Sequence, residues 1–263
     1  IVSGGCGGPE AAAAALRRIR EMEPSIHAYV TVDEEGAMAQ AETVQREIEA
    51  GRLSGPLAGV PVAIKDNICT KGVKTCCASK ILGDFKPFYD ASVMEKLQTA
   101  GMIPLGKTNM DEFAMGFTGT NTAFGEVSNP YNKDYSAGGS SSGSAAAVAA
   151  GMACVTLGSD TGGSIRQPAS FCGVVGVKPT YGMVSRYGVV AFGSSLDQVG
   201  PFARSVEDAA YALQAICKHD PRDCTSQDVP TDFLEAAAHG AQGVKGMRIG
   251  VVREFMDAEG LTP

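Results

Sequence analysis

The chain has 263 residues, 44% apolar and 19% charged, enough to bury a core as one large domain or two small ones. A net charge of −7 with no run of basic residues argues against a chain that grips nucleic acid by itself, because phosphate binding needs clustered Lys and Arg. No apolar stretch reaches the length of a membrane span and nothing at the start reads as a signal peptide.

Eight cysteines (Cys6, Cys69, Cys76, Cys77, Cys154, Cys172, Cys217 and Cys224) form no CxxC pair and lack Cys/His ligand spacing, which argues against zinc. Several lie inside apolar runs, as buried free thiols do, and the expected setting is a reducing cytoplasm. The 33 glycines are clustered rather than periodic, so they mark turns and close backbone approaches.

In chain order, Pro9 opens an Ala-rich helix expected to reach about Met22 and to stop before Pro24. A second helix is expected over residues 34–50, ended by Gly51. Both read as outer helices without chemistry. From Gly55 short apolar runs alternate with helices. Strands are expected at 60–64, 102–105, 153–157, 174–177 and 247–252, and helices at 92–100, 110–115, from the Ser/Gly segment to about Ala150, and at 205–216. Ser205 is the expected N-cap of the last of these, with Asp208 three residues on. This alternation predicts an α/β fold, a mixed, largely parallel sheet with helices on both faces. The expected organisation is a single domain over 1–263, with outer helices in 1–54 and the core in 55–263. The chain stops at Pro263 where nothing reads as a domain end, so the expectation is a chain incomplete at its C-terminus.

Three segments carry chemistry. In the first, Lys65 sits just past an apolar strand, and such strands of parallel sheets aim their carboxyl ends at the site. A lysine there loses water and favours its neutral amine, although a lone strand-end lysine is more often plain surface. The second is the Ser/Gly segment 138–144, which flows into an Ala-rich helix and so does not read as a flexible linker. Its glycines have the Walker A spacing, but Ser144 stands where that loop needs Lys. It also satisfies GxSxG around Ser141, yet it follows a polar loop where a nucleophile elbow needs a strand. His27, His219 and His239 have no distinctive setting, so a Ser-His-Asp hydrolase is disfavoured.

The third segment, 158–169, follows an apolar strand. Consecutive glycines let several backbone N–H groups converge as an oxyanion hole requires, and Ser164 comes directly after them. Asp160 and Arg166 are placed to pair across the turn and stiffen it. A serine nucleophile without histidine needs another base, and a desolvated lysine is the natural acceptor, with a second serine as relay.

The 138–169 stretch resembles the signature of the amidase signature family, whose members use a Ser-cisSer-Lys triad. The separations agree with it, 75 residues from Lys65 to Ser140 and 24 from Ser140 to Ser164. The resemblance implies Lys65 as base, Ser140 as bridging serine in a cis peptide and Ser164 as nucleophile. It places Thr161, Gly162, Gly163 and Ser164 in the oxyanion hole, with Asp160, Arg166 and Ser141 supporting and no metal. One departure is Ser142, where the family usually has glycine.

Residues 65–79 (KDNICTKGVKTCCAS), 106–116 (GKTNMDEFAMG), 178–201 (KPTYGMVSRYGVVAFGSSLDQVGP) and 219–226 (HDPRDCTS) are similar to the A-subunit branch, that of the glutamyl-tRNA(Gln)/aspartyl-tRNA(Asn) amidotransferases. That branch implies a glutaminase releasing ammonia, with B and C subunits as partners and tRNA met mainly through the partner. It implies no cofactor in this chain, ATP and Mg being used by the B subunit. Residues 1–263 by themselves are expected to be weakly active or inactive. The rivals are a free-standing amidase of other small amides and an inactive scaffold.

Overall fold

A computed structural model of the chain describes residue 1 and residues 3–256. The first helix, α1 (Gly8–Ile26), turns Ala12, Leu16 and Ile19 inward at helical spacing. It runs past Pro24 instead of stopping there. A proline in the last turn removes only one N–H, and the stop is supplied by His27, left-handed at φ 58°, while the Glu23 carboxylate accepts the next two N–H groups, of Ala28 and Tyr29, at 3.0 Å each. Asp33 caps α2 (Glu34–Glu49) by accepting the Gly36 N–H.

Six strands form one sheet: β1 (Tyr29–Val32), β2 (Pro61–Lys65), β3 (Ile103–Thr108), β4 (Val155–Asp160), β5 (Val175–Gly176) and β6 (Gln198–Ala203), in the order β1-β3-β2-β4-β6-β5. The sheet is mixed, as expected, but its parallel part is confined to β3-β2-β4; β1, β6 and β5 join antiparallel. Neither β1 nor β6 was expected, because each is a short run holding polar residues or glycine and proline. β2 sends its chain to β3 on one side, and the chain returns to β4 on the other. The carboxyl ends of β2 and β4 therefore lie side by side where the winding reverses, the usual crevice of such sheets.

Two apolar clusters cover the faces. Ala63 packs with α1, α2, α4 (Ser142–Ala149) and α5 (Arg166–Phe171). Val62 and Ile64 pack with α3 (Ser92–Thr99) and α6 (Val206–Ile216), as strand alternation requires. Ser205 caps α6, accepting the Asp208 N–H at 3.0 Å.

Two other expectations fail. In place of a helix at 110–115 there is a single 3₁₀ turn over Glu112–Ala114 with positive φ at Phe113 and Ala114, because the Asp111 carboxylate gathers the N–H groups of Gly119 and Asn121 and folds the segment into a loop. The segment 247–252, read as a strand, is unpaired among the described residues, and Ile249 is 85% exposed. It is apolar enough for a strand, but no sheet edge meets it. It follows α7 (Phe233–Gly243), which buries no residue, and precedes the short α8 (Arg253–Met256). Among the described residues no helix is long and apolar enough to cross a membrane.

Helix α4 is buried on every side, so it tolerates little added volume. A Cβ at Gly143 would lie 2.3 Å from the Ala28 carbonyl oxygen and 2.6 Å from the Asn109 backbone. The neighbouring Ser142 hydroxyl is buried without a hydrogen-bond partner. Two adjacent alanine substitutions should therefore act oppositely in urea unfolding. Gly143→Ala should cost about 2 kcal/mol or more through backbone overlap. Ser142→Ala should stabilise by about 1 kcal/mol by removing an orphaned polar group.

Candidate active site

Strand β2 is buried along its whole length and ends at Lys65, whose side chain has no exposed surface. The lysine Nζ lies 2.9 Å from Ser140 Oγ, 2.9 Å from Ser159 Oγ and 3.3 Å from the Ser159 carbonyl oxygen. Burial pushes the amine down from 10.5 to about 7, while Asp111, Asp160, Cys77 and Asp197 pull weakly the other way. A neutral amine has one lone pair, so it can accept a proton from a serine hydroxyl. Ser159 completes the contact set; sequence reasoning passed it over because it looks like one more small residue in the glycine turn.

Ser140 follows a cis peptide bond from Gly139. Gly139 has no room for a side chain, since its Cβ would lie 2.0 Å from Asp111 Oδ2, and its N–H donates to Gln167 Oε1 at 2.8 Å. The Asp111 N–H in turn donates to the Ser140 carbonyl at 3.1 Å. Ser141 is the N-cap residue of α4 and ties the segments together. Its N–H donates to the Ser164 carbonyl at 3.2 Å and its hydroxyl to the Ser159 carbonyl at 3.0 Å. Lys65 and Ser140 are thus joined side chain to side chain, whereas Ser164 is tied to the cluster through its carbonyl and the Ser141 N–H, its hydroxyl making no hydrogen bond among the described residues. All four are buried.

The turn after β4 is built on Asp160. Its carboxylate takes Nε and Nη2 of Arg166 at 3.1 and 3.0 Å, and the N–H groups of Gly163, Ile165 and Arg166. Burial opposes this charge, but the Arg166 and N–H bonds prevail and hold the carboxyl below its ordinary range. The expected pairing across the turn is present. The Gly163 N–H, however, is spent on Asp160 at 2.8 Å and is not free for an oxyanion. No intramolecular acceptor takes the N–H of Thr161, Gly162 or Ser164 among the described residues. Open space lies beside Gly162 and Gly163, where a Cβ would meet nothing within 4 Å. The Thr161 hydroxyl donates to Asp197, which also accepts the Phe192 and Gly193 N–H groups.

A second buried lysine shows why burial alone does not make a site. Burial also lowers Lys107, but its Nζ donates to the Ile68 carbonyl and the hydroxyls of Thr70 and Thr75, and to no residue of the Ser/Gly segment or the glycine turn. All eight cysteines are free, and no cluster of His, Cys, Asp and Glu able to hold a metal occurs among the described residues.

Comparison with known proteins identifies the family. The amidase family model matches residues 10–263. The A subunit of the glutamyl-tRNA(Gln) amidotransferase of Desulforudis audaxviator is 58% identical over 244 residues, 93% of this chain and 49% of that protein. Its Thermotoga maritima counterpart, solved by crystallography, is 45% identical with a TM-score of 0.75, covering 85% of this chain and 46% of that one. The peptide amidase of Stenotrophomonas maltophilia is 41% identical with a TM-score of 0.83, covering 87% and 48%. The chain spans about half the length of the curated relatives it matches. With the match running over nearly its whole length, the chain belongs to the amidase family.

Proposed function

We propose that this chain carries the acyl-forming centre of the glutamine-hydrolysing A component of a tRNA-dependent amidotransferase. The observation that carries the chemistry is the buried Lys65 amine, lowered to about 7 and 2.9 Å from Ser140 Oγ beside a turn of free N–H groups. In this scheme Ser164 Oγ attacks the side-chain amide carbon of glutamine, and its proton passes through the Ser140 hydroxyl to Lys65 Nζ. The tetrahedral oxyanion rests on the N–H groups of Thr161, Gly162 and Ser164. The C–N bond breaks as the proton returns through Ser140 to the leaving nitrogen, releasing ammonia. Water then attacks the ester carbon, its proton passing to Lys65, and the ester C–O bond breaks as that proton returns through Ser140 to Ser164 Oγ, freeing glutamate and restoring the neutral amine.

The choice of glutamine and of tRNA-linked chemistry is supported by 58% identity to the A subunit of a glutamyl-tRNA(Gln) amidotransferase, against 41% to the peptide amidase. Ammonia would pass to a B subunit, which uses ATP and Mg to activate glutamate or aspartate on tRNA, with a small C subunit bracing the pair. The eight free cysteines suit a cytoplasmic setting. The second reading, a free-standing amidase, is favoured by the fold match to the peptide amidase at a TM-score of 0.83.

Two measurements on the full-length protein bear on this. A fluorophosphonate should label Ser164, located by peptide mass spectrometry, and Ser164→Ala should lower ammonia release from glutamine roughly a thousandfold. Labelling at Ser141 instead would overturn the nucleophile. Faster hydrolysis of a peptide amide than of glutamine would favour the free-standing amidase.

The second concerns stability. The Lys65 amine binds its proton up to 10.5 when unfolded but only to about 7 when folded, so its penalty on folding is full below 7 and fades between 7 and 10.5. Lys65→Met should abolish acylation. Its urea-unfolding stability relative to the parent should be greater at pH 7 than at pH 10 by about 1–3 kcal/mol. Parallel curves would show that the amine keeps an ordinary affinity for its proton.

A further inference from the structure

Ser159 is the residue of the site whose presence the proton relay does not explain. It lies in β4, one position before Asp160, and is buried. Two of its atoms face the Lys65 amine, the hydroxyl at 2.9 Å and the carbonyl at 3.3 Å. The same hydroxyl accepts the amide N–H of Asn67 at 3.1 Å, and Asn67 also donates to the Val190 carbonyl at 3.4 Å. The amide orientation follows from that second contact, since turning it over would set two oxygens against each other. Asn67 is itself fixed, because its backbone carbonyl accepts the Val190 N–H at 2.8 Å. A chain of contacts therefore runs from the Val190 backbone through Asn67 and Ser159 to Lys65.

We propose that Ser159, locked by Asn67, is a positioning residue that aims the Lys65 amine at Ser140. A lysine has four side-chain torsions, and a neutral amine is useful as a base only while its lone pair faces the hydroxyl it deprotonates. The Ser159 carbonyl can only accept, so it engages one N–H of the amine. The hydroxyl, with one acceptor site taken by Asn67, offers the other to a second N–H. What remains of the nitrogen points at Ser140 Oγ. The Asn67 amide holds the Ser159 rotamer from behind, and neither residue contacts the reacting carbon. This reading rests on Lys65 acting as base.

The consequence is testable by pH. Charged or titratable groups facing the amine come from every neighbouring element: Asp111 after β3, Cys77 after β2, Asp160 at the end of β4 and Asp197 before β6. None of these changes when Ser159 is altered. Losing the hydroxyl removes an acceptor that the ammonium form needs more than the neutral form, so Ser159→Ala should release the proton at lower pH. In the full-length protein, the acid limb of kcat/KM for glutamine should move down by about half a pH unit or more. Its kcat should fall roughly 10- to 100-fold with KM within about twofold, as expected when only a proton-transfer geometry is loosened. Ser159→Thr, which keeps the hydroxyl, should retain the parental limb. Asn67→Ala should show a smaller change in the same direction, non-additive with Ser159→Ala.

An acid limb near 7 in the parent but unmoved in Ser159→Ala, whatever the loss of rate, would overturn the positioning role and leave the Lys65 base standing. A parent with no such limb, together with fluorophosphonate labelling of Lys65→Met at the parental rate, would overturn both.

Discussion

The cost of keeping a charge on the Lys65 amine governs the rest of the site. The five residues of β2 are buried, so the side chain at its end is withdrawn from bulk water. Desolvation favours the neutral amine and is the largest influence on it. The N-terminal end of α4 begins two residues after Ser140, and the partial positive charge of a helix start works in the same direction. A strand end in a parallel arrangement is thus where the fold can hold a base without histidine. The flanking β4 returns Ser159 and the glycine turn to the same place, because the winding reverses between β2 and β4.

Much of this was legible in the sequence, and the reasons are physical. The apolar run into Lys65, the glycines before Ser164 and the acid–base pair Asp160 and Arg166 each announce themselves by residue type and spacing. The flanking strands β1 and β6 do not. β1 is four residues long, and β6 reads QVGPFA, whose glycine and proline break the strand signal. The antiparallel joins they make depend on tertiary pairing that no local pattern encodes. Pro24 misleads for the opposite reason. Proline is a strong local signal, yet in the last turn of α1 it removes only one N–H, and the helix runs on to its left-handed stop at His27.

The least legible residues are those that act through others. Ser159, Asn67, Asp111 and Gln167 are ordinary polar residues in sequence, and only the fold brings them to Lys65 and Ser140. Asn67 did lie in a segment with family resemblance, two positions after the lysine. That spacing places it beyond the strand end, where it can reach across to β4. The Gly163 N–H is the converse case. Composition makes it an obvious oxyanion donor, but Asp160 accepts it first.

The three carboxylates around Lys65 show how a buried amine near neutrality is kept from becoming a permanent ammonium. Asp111, Asp160 and Asp197 all raise the lysine's proton affinity, and a direct ion pair with any of them would hold it charged at every working pH. None makes one among the described residues, because each is already engaged. Asp111 accepts N–H groups of Gly119 and Asn121, Asp160 is held by Arg166 and three backbone N–H groups, and Asp197 by Thr161, Phe192 and Gly193. Hydrogen bonds to a carboxylate draw its charge toward their donors and leave less of it to act at a distance. Desolvation therefore prevails over attraction by a margin that leaves the amine at about 7, where at neutral pH about half of it is unprotonated. The same engagements shape the loops around Lys65: Asp111 folds the segment beneath Gly139, Asp160 folds the glycine turn, and Asp197 ties that turn to β6. Each carboxylate therefore serves the backbone directly and the lysine indirectly, so the geometry of the turns and the protonation of Lys65 cannot be altered independently.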